Sequence, residues 1–510
     1  MTATLPAPAR SAVGLRSERG PVLAAIMLCT ALVALDSTII ATAVPSIVTD
    51  LGGFSEFPWL FSIYLLTQAV TVPIYGKLAD IVGRKPVIFV GIAVFLLGSV
   101  LCGVAWSMPT LIAARALQGV GAGAVQPISM TIIGDLYTVE ERARVQGYVA
   151  SVWGAASVVG PTLGGLFSDY LSWRWIFFIN LPLGLLAAAV LRRRFTENVV
   201  RREHSIDYTG AGLLTVGCSL LILGLLEGGT AWAWRSTTSA LVLGGSVLAL
   251  VLFVRVEQSS PEPVLPLWVF RRRVLVGGNL TALGVGALLI GLSSYVPTYV
   301  QGVLGTGAVT AGFALAALTI GWPIAAALSG RLYLRIGFRD TALIGIVVVV
   351  GGSLLTARLG ADGPVWAVAL AMFVTGVGLG LASSPTLVAV QSVVGWDRRG
   401  VVTGTNMFCR SIGSAIGAAA LGALANATLA DRFRHAPASV AGQLPRSGAD
   451  AASSSFRGGH GAVADYVRGA LYDASHHVFL ALFVVSVLIV GALLLMPRRT
   501  ESLAFPDQPA

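Results

Sequence analysis

The sequence predicts an all-α integral membrane protein with fourteen transmembrane helices. The chain has 510 residues, of which 55% are hydrophobic and only 11% are charged, whereas soluble domains carry about 25% charged residues. Apolar runs of about 20 residues, long enough to cross a bilayer as helices, recur along nearly the whole chain. The 60 glycines suit close packing between such helices.

The predicted spans follow these runs, and their even number places both termini on one side of the membrane. The spans cover residues 22–44, 59–77, 87–106, 109–132, 144–167, 174–192, 208–227, 237–256, 274–299, 308–329, 341–358, 365–388, 400–425 and 476–496.

Arginine clusters between the spans predict the orientation. Clusters such as Arg192–Arg194 and Arg271–Arg273 fall on one face, while loops on the other face, such as Gln301–Gly307, are nearly uncharged. The positive-inside rule makes the arginine-rich face cytoplasmic. We therefore expect a multi-pass protein of the cell (inner) membrane, with cytoplasmic tails at 1–21 and 498–510. This placement also explains the net charge of +10 without a nucleic-acid partner.

The long outer segment 426–475 is the exception, because it carries several arginines. Long loops obey the rule weakly. Its middle, Pro437–Gly461, is rich in Ala, Ser and Gly and is expected to be mobile. Asp465–His477 could form a short amphipathic helix at the outer surface.

The chain also repeats itself. The pattern of Gly76–Arg84 recurs at Gly330–Phe338, an offset of 254, and the glycine triplet that starts at Gly119 recurs from Gly376, an offset of 257. Two matches at nearly one offset predict two homologous halves of six helices, 22–195 and 273–497, with an inserted two-helix hairpin within 196–272. Transporters built from repeats bind substrate between the halves and alternate access by rocking.

A tight charged turn joins the second and third spans. Gly76 and Gly83 allow a sharp reversal of the chain. Asp80 lies among Lys77, Arg84 and Lys85 and can tie the turn to a neighbouring helix end.

Two charges fall well inside predicted spans. Asp36 lies in the first span and Arg115 in the fourth, and a mid-helix charge costs about 2.5–3.5 kcal/mol on insertion scales. Asp36 could exchange protons or pair with a cationic substrate; alternatively, polar neighbours satisfy it and it serves packing only. Arg115 needs acceptors, and it could either join helices or modulate the protonation of a nearby acid.

The fifth span contains a Gly-Pro kink at Gly160-Pro161, followed by Gly164 and Gly165. Proline removes a backbone donor and bends the helix, while the glycines let another helix cross closely. Such a helix suits a moving contact between halves.

The remaining polar candidates are weaker. Arg410, in the thirteenth span, is expected to reach the cytoplasmic interface by snorkelling, although a cavity position stays open. Other possible cavity contacts are Gln68, Gln118, Gln126 and Gln301.

Several sites are not expected. The four cysteines lie in apolar runs and indicate packing rather than disulfides. Gly119–Gly123 lies in an apolar helix with no preceding strand, which favours helix packing over a dinucleotide loop. No phosphate-loop motif or metal-site pattern occurs, so we expect no metal, no organic cofactor and no ATP-driven pump.

These motifs together resemble the major facilitator superfamily. The Gly76–Lys85 turn resembles its signature loop, and Gly160–Gly165 resembles the segment typical of its antiporters. More specific are Leu35–Ile40, Trp173–Pro182 and Tyr295–Gln301, which resemble the fourteen-helix drug:proton antiporters of the EmrB/QacA type. The resemblance implies the major facilitator fold and export of amphipathic drugs or dyes by proton entry. It assigns the proton to Asp36 and a conformational latch to Asp80 and Arg84.

The sequence thus predicts a proton-coupled multidrug efflux antiporter that acts as a monomer on small amphipathic substrates and is not an enzyme. Alternatives are an exporter of an endogenous metabolite or lipid, suggested by the outer segment, proton-coupled uptake of a nutrient, and a transport-inactive membrane sensor or scaffold.

Overall fold

The computed structural model describes residues 14–52, 59–197, 207–229, 231–261, 263–441, 444 and 461–498. Within these residues, fourteen helices are long and apolar enough to cross a membrane. We number these helices α1 to α14 in chain order. Their number agrees with the spans predicted from the apolar runs.

The first six helices form the N-terminal half. They are α1 (Gly20–Leu51), α2 (Trp59–Val82), α3 (Arg84–Gly103), α4 (Met108–Leu136), α5 (Val139–Tyr170) and α6 (Trp175–Phe178 continued by Asn180–Arg194).

A two-helix hairpin and the C-terminal half follow. The hairpin is α7 (Tyr208–Glu227) and α8 (Thr237–Ser259). The C-terminal half is α9 (Arg273–Gly302), α10 (Ala308–Ile336), α11 (Phe338–Ala357), α12 (Val365–Ser392), α13 (Arg399–Arg434) and α14 (Ala462–Leu494).

The two halves repeat one local geometry. Gly83, between α2 and α3, has φ +98°, and Gly337, between α10 and α11, has φ +91°, a backbone region that favours glycine. A methyl group added at Gly121 would lie 2.8 Å from the carbonyl oxygen of Gly91 in α3, and one at Gly378 would lie 2.6 Å from that of Gly345 in α11. Equivalent glycines therefore serve equivalent close helix crossings in both halves.

The α7–α8 hairpin packs beside the junction of the halves. Leu214 and Cys218 of α7 share a hydrophobic cluster with Leu66 of α2 and Ala415 of α13. The hairpin's own helices are joined by a hydrogen bond from Ser246 Oγ to the carbonyl oxygen of Gly217, 2.8 Å long. The hairpin thus covers one side of the contact between α2 and α13.

Both described chain ends lie at the end of the bundle that carries the Gly76–Lys85 turn, which we name the latch end. Arg19, before α1, pairs with Glu141 at the start of α5 over 3.1 Å. Arg498, after α14, pairs with Asp340 at the start of α11 over 3.2 Å. The two ends of the described chain thus lie on one side of the bundle, as expected for an even number of spans.

The structure differs from the sequence prediction in the segment 426–475. Helix α13 continues to Arg434, and α14 already begins at Ala462, so Asp465–His477 is the first part of a spanning helix and not a separate amphipathic helix. Tyr466 Oη donates a 2.6 Å hydrogen bond to the carbonyl oxygen of Arg432, which ties the two extensions together. Most of Pro437–Gly461 lies outside the described residues.

Candidate functional site

The two intramembrane charges of the N-terminal half form an ion pair. Arg115 Nη1 in α4 lies 2.6 Å from Asp36 Oδ2 in α1, and each side chain is only 1% exposed. Removing one partner of such a pair leaves a buried, uncompensated charge, which costs about 3–5 kcal/mol. The two charges therefore neutralise each other inside this half.

Three neutral side chains complete the site. Gln118 Nε2 donates to Asp36 Oδ1 at 2.7 Å and to Ser99 Oγ at 2.8 Å. Asn180 Nδ2 donates to the same two oxygens at 3.3 and 3.2 Å. We name Asp36, Ser99, Arg115, Gln118 and Asn180 the buried polar cluster. It joins α1, α3, α4 and α6.

Helix α2 closes the cluster on a further side. The Arg115 guanidinium lies 4.1 Å from the ring centroid of Tyr64, and Arg115 Nε donates to the carbonyl oxygen of Leu60 at 3.2 Å. Asp36 is thus surrounded by its own half in this conformation. Direct contact between Asp36 and a substrate, which the sequence left open, would require these helices to separate.

Sequence reasoning missed Ser99, Asn180 and Tyr64 as parts of this site. The available signal was Asn180, a polar residue inside the apolar string Trp175–Pro182. The order of residues along the chain does not show that α6 places this amide beside α1, because the neighbours of a helix depend on the packing of the whole half.

The Gly-Pro segment of α5 packs against α1 close to Asp36. Thr38 Oγ1 donates to the carbonyl oxygen of Ala156 at 3.0 Å. A methyl group added at Gly160 would lie 2.0 Å from Thr38 Oγ1, and one at Gly164 would lie 2.4 Å from the carbonyl oxygen of Ile39. Gly165, in contrast, has no neighbour within 4 Å of such a methyl group, so only part of the predicted segment makes the crossing.

The same part of α5 touches the other half. Ser157 Oγ lies 3.1 Å from Thr319 Oγ1 of α10, and a methyl group added at Gly154 would lie 3.1 Å from the carbonyl oxygen of Thr319. Pro161, four residues after Ser157, lies inside α5 and cannot donate a hydrogen bond to the carbonyl of Ser157. Helix α5 therefore lies between the helix of Asp36 and the C-terminal half.

The charged turn at the latch end binds the start of α13. Asp80 accepts backbone hydrogen bonds from Gly400 and Val401, at 2.9 and 2.8 Å. A carboxylate at a helix N-terminus is favourable, because unpaired N–H groups and the helix dipole both attract negative charge. Asp80 also lies 3.0 Å from Arg84. The turn thus links the two halves.

Arg84 is fully buried at this junction. Its Nε lies 2.9 Å from Asp135 at the end of α4, its Nη2 donates to the carbonyl oxygen of Trp396, and its guanidinium lies 3.7 Å from the Trp396 ring centroid. Arg399 of α13 binds the same Asp135 over 3.0 Å. Sequence reasoning did not place Asp135, Trp396 or Arg399 in the latch.

Lys85 and Gly76 have different roles at the latch end. Lys85 Nζ donates to the carbonyl oxygens of Arg192, at 3.3 Å, and of Phe195, so it holds the end of α6 rather than the other half. A methyl group added at Gly76 would lie 2.6 Å from the carbonyl oxygen of Gly400. Gly76 therefore permits the backbones of α2 and α13 to touch.

The four predicted glutamines lie at three different places. Gln118 belongs to the buried polar cluster, and Gln68 Nε2 donates to Gln126 Oε1 at 3.2 Å between α2 and α4. Gln301 lies in the last turn of α9, far from these groups. Gln391, which sequence reasoning did not propose as a cavity contact, is buried and donates across the halves to the carbonyl oxygen of Met130 at 3.3 Å.

Arg410 is partly buried in α13. It lies eleven residues after the helix start at Arg399, or about 16 Å along the axis at 1.5 Å per residue. That distance exceeds the length of an arginine side chain. Snorkelling to the latch end, which we expected from the sequence, therefore does not fit its position.

Comparison with known proteins agrees with this architecture. The family model described as Major Facilitator Superfamily matches residues 26–418. Multidrug transporter protein MdtP of Bacillus subtilis is 36% identical over 414 residues, covering 81% of this chain and 76% of the relative. Multidrug resistance protein 3 of the same organism is 36% identical over 405 residues, covering 79% and 78%.

The fold itself recurs in solved structures. A bacterial homologue of the iron transporter ferroportin, crystallised in an outward-facing state, superposes with a TM-score of 0.61 at 13% identity, covering 93% of this chain and 99% of the other. At that identity the likeness concerns the fold alone. Given the family match over residues 26–418 and the two relatives at 36% identity, this chain is a membrane transporter of the Major Facilitator Superfamily.

Proposed function

We propose that this chain is a proton-coupled efflux antiporter of the cell membrane, which exports small amphipathic compounds by alternating access. The observation that carries the proposal is the buried ion pair between Asp36 and Arg115. A buried pair contributes little to stability, because desolvation offsets the attraction between the charges. Its presence inside the membrane-spanning N-terminal half is better explained by a role in transport, in which the carboxylate takes up and releases a proton.

A route from this carboxylate to the opposite half supports coupling. Protonation of Asp36 removes the charge that holds Arg115, which frees α1 to move relative to α4. Helix α1 is bound through Thr38 to Ala156 of α5, and the next residue, Ser157, is bound to Thr319 of α10. We propose that displacement of α1 passes through α5 to the C-terminal half. This movement changes the side of the membrane to which the substrate site between the halves is open.

The direction of transport rests on three features. The names of the two Bacillus relatives, a multidrug transporter and a multidrug resistance protein, favour export of drugs. The arginine-rich latch end is taken as cytoplasmic by the positive-inside rule. With Asp80 bound to α13, this conformation keeps the cytoplasmic entrance closed and would release substrate outward.

The energy source in this proposal is the proton gradient, with no bound cofactor. A proton that moves down a potential of 100 mV releases about 2.3 kcal/mol, and each unit of pH difference adds about 1.4 kcal/mol. One proton per cycle therefore supports an export ratio of at least tens-fold.

Inside-out vesicles that hold a pH gradient test the proposal. Lipophilic cations, neutral drugs and anionic amphiphiles are added, and the loss of the gradient is followed by a pH-sensitive dye. We expect particular compounds to collapse the gradient in the wild type, and Asp36→Asn to slow this response at least tenfold, equivalent to about 1.4 kcal/mol in barrier height.

The matched control is Asp50→Asn, which removes a carboxylate at the C-terminal end of the same helix that pairs with Arg174 at an exposed site. It should retain the response. A response that is equally fast in Asp36→Asn and wild type would remove Asp36 from the coupling mechanism. No response of the wild type to any compound would count against proton antiport.

A further inference from the structure

Arg410 is a membrane-embedded cation without a partner in the described chain. Its guanidinium makes no hydrogen bond or ion pair with any residue that the structure describes, and only its backbone carbonyl accepts a bond, from Ser414. The nearest carboxylates along the chain are Asp397, which precedes α13, and Asp431 within it, thirteen residues before and twenty-one after Arg410. Asp36, the acid inside the other half, is already neutralised by Arg115. The acids that the structure describes therefore leave Arg410 uncompensated.

A second unpaired donor lies on the same seam between α9 and α13. Asn279 of α9 is 4% exposed, and its Nδ2 has no hydrogen-bond partner among the described residues. Asn279 Oδ1 accepts a hydrogen bond from Asn406 Nδ2 at 3.3 Å. This bond fixes the orientation of the Asn279 amide, because a flipped amide would place its NH2 group against that of Asn406. The free atom is thus a donor.

Arg410 and this amide occupy neighbouring turns. Asn406 lies four residues before Arg410, so both side chains lie on one face of α13, and helical side chains lean towards the helix N-terminus. Asn406 contacts α9 at Gly278 and Asn279, and the Arg410 backbone contacts α9 at Gly286. The seam therefore carries the Arg410 guanidinium one helical turn from Asn406, and the Asn279 amide that Asn406 contacts; neither the guanidinium nor Asn279 Nδ2 donates to an acceptor among the described residues.

We propose that this seam, formed by Asn279, Asn406 and Arg410, binds the anionic group of an amphipathic substrate, a carboxylate or a phosphate. Guanidinium groups bind such oxyanions through two parallel hydrogen bonds, and a buried donor without an acceptor is costly. The site deepens the proposed export function by naming a substrate class, and it rests on that function for its physiological meaning.

Binding of a matched pair of probes tests the site. The probes are dansylaminoundecanoic acid and its methyl ester, which share one fluorescent apolar body and differ by one negative charge. Binding to the purified full-length protein in nanodiscs of neutral lipid is measured by dansyl fluorescence, with empty nanodiscs as background. We expect the wild type to bind the acid about tenfold more tightly than the ester, as for a charge-assisted contact.

Substitutions then assign the preference to Arg410. Arg410→Gln should bind acid and ester equally, with ester affinity unchanged, while Arg410→Lys should keep part of the preference. Retained ester binding shows that the variant is folded. Equal binding of both probes by the wild type, no binding of the acid, or a full preference in Arg410→Gln would each overturn the proposal.

The assay is independent of proton coupling, because it is an equilibrium measurement without a gradient. If the protein prefers the acid through Arg410 but never moves protons in vesicles, the anion site is supported and the proposed antiport is wrong. If the protein moves protons with cationic or neutral drugs but binds both probes equally, antiport is supported and the anion site is wrong.

Discussion

At the scale of single residues, the informative feature is the complete pairing of Asp36. Its carboxylate accepts hydrogen bonds from Arg115, Gln118 and Asn180. The Ser99 hydroxyl oxygen also accepts hydrogen bonds from Gln118 and Asn180. Replacing a buried ion pair with apolar residues is often neutral or stabilising, whereas removing one partner is destructive. This asymmetry separates a structural role from a coupling role and can be measured.

We predict that Asp36→Asn and Arg115→Gln each lower the free energy of unfolding by about 3–5 kcal/mol, because each leaves a buried charge without its partner. The double variant should recover most of this loss, since no net charge remains buried. It should still fail to couple protons to transport. Thermal unfolding of the purified proteins, together with the vesicle assay, provides both readouts.

The exposed pair of Asp50 and Arg174 serves as the control. It has a similar distance, 2.7 Å, but its side chains are 48% and 34% exposed, so Asp50→Asn should cost at most about 1 kcal/mol. If the Asp36 and Arg115 variants lost no more stability than this control, the pair would not be buried in the dominant conformation.

At the scale of the elements, α5 has the decisive position. It crosses α1 at Gly160 and Gly164 and contacts α10 at Ser157, with Pro161 between these contacts. Proline weakens the local hydrogen-bond ladder, so this stretch of helix can bend where it meets both neighbours. The contacts explain why glycines and a proline occur together here.

Adjacent glycines allow a sharp test of this crossing. Gly164→Ala would bring a methyl group to 2.4 Å from the carbonyl oxygen of Ile39, whereas Gly165→Ala would meet nothing within 4 Å. We predict that Gly164→Ala lowers stability by about 1–3 kcal/mol through overpacking and slows substrate-induced proton flux severalfold. Initial rates in vesicles with equal amounts of protein measure the effect.

Gly165→Ala should match the wild type in both respects, and it controls for the general effect of alanine in place of glycine within α5. Equal losses from the two substitutions would mean that the effect comes from helix flexibility and not from the crossing with α1.

At the scale of the whole molecule, the two halves are joined firmly at the latch end. Asp80 binds the first turn of α13, Arg399 binds the end of α4, and Gln391 binds α4 from α12. Rocking of the halves must break these bonds together, because they connect the same two rigid groups of helices. The latch therefore sets the balance between the two access states.

We predict that Asp80→Ala shifts this balance towards a conformation with an open latch end. The loss of two charge-assisted hydrogen bonds exceeds about 1.4 kcal/mol, which corresponds to at least a tenfold change in population. The reporter is Thr403→Cys, at a side chain that is 0% exposed and accepts a hydrogen bond from Gln391 of α12, which itself donates across the halves to Met130 of α4. Its labelling by a permeant maleimide should accelerate at least tenfold, after replacement of the partly exposed Cys409.

Ala187→Cys is the control for this experiment, because Ala187 is 0% exposed and its helix α6 packs on α1 and α3 of the same half. Its slow labelling should not change with Asp80→Ala. Faster labelling at both positions would indicate general loosening of the protein, and unchanged labelling at Thr403→Cys would show that Asp80 does not hold the latch.

Properties that depend on the order of residues along the chain can be derived from the sequence alone. The length of the apolar runs predicts the number of spans, because about 20 residues match the thickness of the hydrocarbon core. The turn at Gly76–Lys85, the charges Asp36 and Arg115, and the repeat between Gly121 and Gly378 follow from local patterns. Hydropathy did not predict the far ends of α13 and α14, since helices can continue beyond the bilayer into polar sequence.

Which of these residues meet depends on how the helices pack in three dimensions. Asp36 and Arg115 are 79 residues apart in the chain but 2.6 Å apart in the fold, and Asn180 joins them from α6. The seam in which Arg410 and Asn279 keep donors without a partner among the described residues likewise forms only when α9 packs against α13. The reason is physical: every span is similarly apolar, so hydropathy places helices in the membrane, whereas their neighbours are chosen by close packing at glycines and by the need to satisfy buried polar groups.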